Sequence, residues 1–168
     1  MLIFKKISIE MKRIYLTGMS GTGKSSIIRN LQNKGFTAID TDYGNWKEIS
    51  LSEEASEWIL KEDPIKNLLT QPLTSSIFVS GCCSNQTNLY PYFDYIILLS
   101  ASLETILNRI AGRTSNPYGK TSEERSEIIW NFENIQPLLL QSAHFEFNTE
   151  VMTIEEITTS LIELSNNN

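Results

Sequence analysis

Gly18-Met19-Ser20-Gly21-Thr22-Gly23-Lys24-Ser25 contains two glycines five positions apart followed by Lys and Ser, the spacing of a phosphate-cradling loop. Glycines let consecutive backbone N–H groups turn inward on one anion, and a helix starting at Lys24 presents its positive end to the same point. A triphosphate suits such a nest. Lys24 is then placed to neutralise the β- and γ-phosphates, and the Ser25 hydroxyl to take one position on Mg²⁺. Ser20, Gly21, Thr22, Gly23 and Ser26 complete the expected nucleotide-binding set.

Two carboxylates come next. Asp40-Thr41-Asp42 follows the short apolar run Phe36-Thr37-Ala38-Ile39, and ligands of open parallel sheets sit beyond the carboxyl ends of the strands. One carboxylate, Asp40, is expected to hold Mg²⁺ through water. The other, Asp42, is expected to orient or accept a proton from an attacking hydroxyl. The competing reading is an Asx-type turn that closes a strand. Further along, Gly81 permits close backbone approach to a ligand, and Asn85 and Gln86 bring polar groups to the same edge. Trp46 and Trp58 divide evenly between ligand contact and packing. Arg109 and Arg113 lie one helical turn apart, and a guanidinium at Arg113 can bridge two phosphate oxygens.

These side chains need strands and helices to position them. Arg13-Ile14-Tyr15-Leu16-Thr17, Ile77-Phe78-Val79-Ser80 and Tyr95-Ile96-Ile97-Leu98-Leu99 are apolar enough for buried parallel strands, and Phe145 to Asn148 reads as a last short one. Helices are expected over Ser25–Gln32 and Ser102–Ala111, through Ile128, Ile129 and Phe132 towards Pro137, and over Thr153–Leu164. Residues 43–71 carry Ser50-Leu51-Ser52-Glu53, a capping-box pattern, then helical apolar spacing broken at Asp63-Pro64. They are expected to form a helical insert over the acceptor. Gly112 to Thr121 is polar and Gly/Pro-bearing, and residues 112–122 are expected to form a mobile lid in which Arg113 and Lys120 supply cations. No acid closes the Ile77–Ser80 strand, so the metal role falls to Asp40.

Composition sets the outer bounds. The 168 residues fit one domain of ordinary globular make-up, 40% hydrophobic and 20% charged. A net charge of -6 gives no long-range pull towards nucleic acid. No apolar run is long enough for a membrane helix and no secretory leader is visible, so a cytoplasmic protein is expected. Residues 1–10 are expected to be a frayed extension, with Met11 an alternative start, and residues 166–168 a disordered tail. Cys82 and Cys83 are adjacent, which suits neither a structural disulfide nor a metal knuckle. His144, the single histidine, reads as a packed residue at a strand end.

Taken together, the phosphate loop, Phe36-Thr37-Ala38-Ile39-Asp40-Thr41-Asp42, the glycine ending the third strand, Phe93-Asp94-Tyr95-Ile96-Ile97-Leu98-Leu99 and the Arg109/Arg113 region resemble the shikimate and gluconate kinase branch of the adenylate-kinase-like small-molecule kinases. That resemblance implies an α/β fold: a three-layer αβα P-loop NTPase with a five-stranded parallel sheet, a helical insert and a lid. It also implies ATP with Mg²⁺, Lys24 and Ser25 on the nucleotide, Asp40 on the metal's water shell, Asp42 on the acceptor hydroxyl and Arg113 in the lid. Two departures count against shikimate itself. The arginine that such kinases place before a proline-leucine pair is Ile135 here, and residues 43–71 contain no arginine. Losing a bidentate clamp removes charge-assisted bonds to a carboxylate.

The expected activity is therefore ATP-dependent phosphoryl transfer to the hydroxyl of an unidentified small molecule, by a monomer or homodimer without nucleic-acid or membrane partners. The alternatives are a nucleoside or nucleotide kinase, recognisable by base-stacking aromatics and a phosphate-binding arginine, and a nucleotide-dependent switch or ATPase with no small acceptor.

Overall fold

In the computed structural model, which describes residues 10–52 and 55–166, β1 (Arg13–Thr17), β2 (Thr37–Asp40), β5 (Ile77–Ser80), β6 (Tyr95–Ser100) and β7 (Phe145–Asn148) form one sheet in the order β2-β5-β1-β6-β7. All its pairings are parallel. Burial explains why these short runs are strands. Along β6, Ile97 and Leu99 face a core shared with Ile27, Ile28 and Leu31 of α1 (Lys24–Asn33) and Ile157 and Leu161 of α6 (Ile154–Asn166). Ile96 and Leu98 face the opposite side, so the sheet is buried on both faces and its strands read as continuous apolar runs. Each fully buried Ile or Leu is worth about 1.5–3 kcal/mol relative to exposure. The second face is covered by α2 (Glu62–Thr70) and a 3-10 helix (Gln86–Tyr92), and further along by α3 (Leu103–Gly112), α4 (Ser122–Asn134) and α5 (Gln136–Ser142).

β1 lies between β5 and β6, and the chain runs out to opposite sides of it. That reversal opens a crevice at the carboxyl ends of the strands, where the loop after β1 sits. His144 is packed as expected: its Nδ1 accepts from the Ile96 N–H at 2.9 Å and its ring meets Tyr95 edge-on at 6.0 Å. Among the described residues, no helix is long and apolar enough to cross a membrane. Residues 1–9 and 167–168 of the expected extension and tail lie outside the described residues; Asn166 is the last residue of α6.

The expected helical insert is corrected. Residues 43–71 begin with an antiparallel ribbon of β3 (Lys47–Leu51) and β4 (Ser56–Leu60), and only the last part is helical. Two local features decide this. Ile49 pairs with Trp58 across the ribbon, a contact worth roughly 0.2–1 kcal/mol that needs the period of a strand. Ser52 closes the turn, its hydroxyl bonding to Ala55 O at 2.7 Å and its N–H donating to the same carbonyl at 2.9 Å. The expected capping box is therefore a strand end and a turn; its Glu53 lies outside the described residues. Pro64 does not break a helix: it sits in the first turn of α2, where no intrahelical N–H is lost, and Glu62 and Asp63 complement the helix dipole there.

Candidate active site

The loop after β1 turns on two positions. Gly18 has φ 149°, and a Cβ there would lie 2.3 Å from the Leu99 carbonyl oxygen, so a side chain is excluded. Gly23 has φ 96° and precedes the first residue of α1, with nothing within 4 Å of where its Cβ would stand. The turn thus leaves open space over a helix N-terminus that has no side-chain cap and no acid in its first turn. Its unpaired N–H groups suit an anion. Lys24 is buried, and its ammonium donates to Gly18 O at 2.6 Å and Met19 O at 3.0 Å. Ser25 lies half-buried at the start of α1 and Ser26 is exposed. Thr22 differs from expectation: it is fully buried, and its hydroxyl donates to Met19 O at 2.8 Å, so it braces the loop from behind.

Asp40 ends β2, and the Asp42 N–H donates to Asp40 Oδ1 at 3.0 Å. The competing Asx-turn reading is thus present in the geometry, but it uses only one carboxylate oxygen. Asp40 Oδ2 is buried with no hydrogen-bond partner among the described residues, and Asp40 and Ser25 line one groove. A buried anionic oxygen beside a hydroxyl is a donor set that fits Mg²⁺, a hard cation that keeps several waters and relies on few protein ligands. Among the described residues no group of three or more His, Cys, Asp or Glu could hold a metal, which leaves nucleotide phosphates to supply the remaining oxygens.

Asp42 faces three cations. Burial pushes its carboxyl up, but Lys24, Lys47 and Arg113 outweigh that and hold it below its ordinary value. Lys47, the first residue of β3, forms an ion pair with Asp42. Burial lowers the Lys47 pKa, and Asp42 more than restores it, so the net shift is upward. Sequence reasoning missed Lys47. It comes from a ribbon that was read as helix, and the ion pair depends on the pairing of β3 with β4.

Arg113 follows α3 directly and reaches the phosphate loop: one guanidinium nitrogen donates to Ser20 Oγ at 3.1 Å and to Tyr118 O at 2.9 Å. Its Nε is buried without a partner among the described residues. Burial lowers its pKa against the opposing pull of Tyr43 and Asp42. Arg109 braces the loop, donating to Gly21 O at 3.3 Å and to the Thr149 hydroxyl and carbonyl at 2.7 and 2.9 Å.

The expected lid is largely pinned. Lys120 donates to the carbonyls of Ile110, Ala111 and Arg113 at 2.6–2.8 Å, capping the end of α3. Glu124 accepts from the N–H groups of Gly119, Lys120 and Thr121 at 2.9–3.2 Å. The Lys120 charge is therefore spent on helix carbonyls.

The expected acceptor residues are corrected as well. Gly81 does not open space for a ligand, because a Cβ there would lie 2.5 Å from Thr41 Oγ1 and 2.9 Å from the Tyr15 hydroxyl. Asn85 clamps the β4–α2 junction, accepting from Leu60 N and donating to Leu60 O, both at 2.9 Å. Gln86 is buried and bonded to Thr17 Oγ1, the Tyr90 hydroxyl and Cys83 N at 3.1, 2.6 and 3.1 Å. Both amides hold the scaffold. Trp46 is half-buried: it packs against the cluster of Tyr15 and Leu60 and lines, with Tyr43, Arg29, Ser25 and Asp40, a groove of about 370 Å³. Trp58 is exposed on the ribbon.

Compared by sequence, no curated protein is a match. Similar solved structures include a shikimate kinase from Acinetobacter baumannii in complex with shikimate, at TM-score 0.61 and 14% identity over 93% of each chain. A shikimate kinase from Bacteroides thetaiotaomicron has TM-score 0.54 and 19% identity, covering 92% of this chain and 98% of its own. The YorR protein of Bacillus subtilis, in complex with phosphorylated GDP, has TM-score 0.57 and 16% identity over 90% and 94%. At such identities the likeness establishes the fold, a P-loop kinase-like α/β sheet. The family model described as AAA domain matches residues 14–130, most of the chain and all of the phosphate loop, and the chain belongs to that AAA-domain family of P-loop proteins.

Proposed function

We propose that this protein is a small-molecule kinase that transfers the γ-phosphoryl group of ATP to a hydroxyl group. The observation that carries the reading is the convergence of Lys24, Arg113 and Asp42 on one side of the loop, two cations and a carboxylate held ionised between them. In phosphoryl transfer the protein supplies positioning and charge stabilisation. Loop N–H groups and Lys24 would bind the phosphates. Ser25 and Asp40 would hold Mg²⁺, which when bound offsets phosphate charge. Asp42 would orient the acceptor hydroxyl and take its proton, with Lys47 fixing the carboxylate. Arg113 would meet charge that grows on the transferring group, and Arg109 keeps the loop in place.

A second reading, a nucleoside or nucleotide kinase, is favoured by the groove, whose Tyr43, Trp46 and Arg29 offer aromatic faces and a cation beside Asp40. The fold shared with the Bacillus protein that holds phosphorylated GDP supports it further. One experiment separates these readings from an ATPase without acceptor. ADP release is screened against a library of sugars, polyols, nucleosides and nucleotides, with Lys24→Ala as control. A saturable stimulation that the variant lacks supports a kinase and names its acceptor class. Steady hydrolysis unmoved by every compound contradicts it.

A further inference from the structure

β5 ends in Ser80, and this residue has no explanation in the fold. It is fully buried, and its hydroxyl has no hydrogen-bond partner among the described residues. A buried hydroxyl left unpaired costs stability and adds nothing to packing that a methyl group would not. The Ser80 backbone is employed: its carbonyl accepts from the Thr41 N–H at 3.0 Å and the Thr41 hydroxyl at 2.8 Å. Only the side chain is idle.

The direction of that side chain follows from strand alternation. Ile77 and Val79 belong to the cluster with Tyr15 and Leu60, whereas Phe78 belongs to the cluster with Ile27, Ile28 and Leu31 of α1. Ser80, two residues after Phe78, looks to the α1 face. Its register partner on β2 is Asp40, which stands on the same face as Ala38 and lines the groove with Ser25. Neighbouring strands lie about 4.8 Å apart. Two buried oxygens without partners, Asp40 Oδ2 and Ser80 Oγ, therefore stand side by side under the N-terminus of α1.

We infer that Ser80 is a positioning residue of the metal site: its hydroxyl hydrogen-bonds a water of the Mg²⁺ shell, next to the one held by Asp40. The inference rests on the reading of Ser25 and Asp40 as the Mg²⁺ site. It accounts for a strand that ends without a carboxylate, since a neutral hydroxyl beside Asp40 orients water without adding a second buried charge. Residues that act through bound water in this way typically change metal affinity 10–100-fold when removed.

The test uses ADP and Mn²⁺ on the full chain. Mn²⁺ affinity of the protein–ADP complex is measured by electron paramagnetic resonance, and the gain in ADP affinity on adding Mg²⁺ by calorimetry, for wild type, Ser80→Ala, Asp40→Asn and the double variant. Ser80→Ala is expected to weaken Mn²⁺ about tenfold while the melting temperature of the free protein is unchanged or raised. The double variant should lose less than the product of the two single losses. An Mn²⁺ affinity in Ser80→Ala equal to wild type overturns the inference and leaves the wider reading intact. No gain from Mg²⁺ in the wild-type protein overturns both.

Discussion

The two halves of the site are built from different materials. The phosphate half is backbone: a turn at Gly18 and Gly23, the uncapped end of α1 and one lysine lying over the loop carbonyls. The acceptor half is side chain on side chain, with Lys47 on Asp42, Asn85 on the Leu60 backbone, and Gln86 among Thr17, Tyr90 and Cys83. A backbone nest binds any suitable phosphate and depends on a short local pattern. A side-chain surface assembled from distant segments is free to change its ligand while the nest stays as it is. Substitutions should therefore act differently in the two halves.

The largest effect is expected at Arg113. Arg113→Ala should lower turnover about 10³-fold while ATP affinity falls only modestly, the pattern of a contact made mainly in the transition state. Equal losses in affinity and turnover would make Arg113 part of ground-state binding. Asp42→Asn should depress acceptor-stimulated ADP release by about 10²–10⁴-fold, the range for a positioned general base, and leave unstimulated hydrolysis nearly untouched. A parallel fall in both rates would assign Asp42 to the phosphate half.

The scaffold reading of the acceptor half predicts losses of stability in place of catalysis. Gln86→Leu leaves the Thr17 and Tyr90 hydroxyls and the Cys83 N–H without their partner, so it should cost about 1–3 kcal/mol in denaturant unfolding. ATP affinity should hold. The smallest effect is expected from Lys120→Met, which uncaps the end of α3 and should cost about 1 kcal/mol. Turnover should change by less than Arg113→Ala changes it. A loss of turnover as large as that of Arg113→Ala would return Lys120 to the phosphates.

The same division explains what the sequence makes legible. The loop, its flanking strand and helix, and the five parallel strands are encoded in local apolar runs and glycine spacing, and each appears in the structure where it is expected. Asp40 and Asp42 are legible because a strand end in a parallel sheet faces the ligand side whatever follows. The ribbon is not. Ala55, Trp58 and Ile59 have helical spacing, and only the pairing of Ile49 with Trp58 and the Ser52–Ala55 turn make them a strand. Lys47 is hidden for the same reason. Gly81, Asn85 and Gln86 have the residue types of a binding edge, but the hydroxyls of Tyr15 and Thr41 and the backbone of Leu60 occupy the space and bonds a ligand would need. The partners that exclude the ligand lie 25 to 71 residues away.

The account stands most directly on nucleotide binding at the loop. Calorimetric titration of the full chain with Mg²⁺ and a non-hydrolysable ATP analogue should give saturable binding, weakened at least tenfold in Lys24→Ala while that variant keeps its far-ultraviolet circular dichroism and melting temperature. Equal affinity in the two proteins, or no binding by the wild type, would contradict the account.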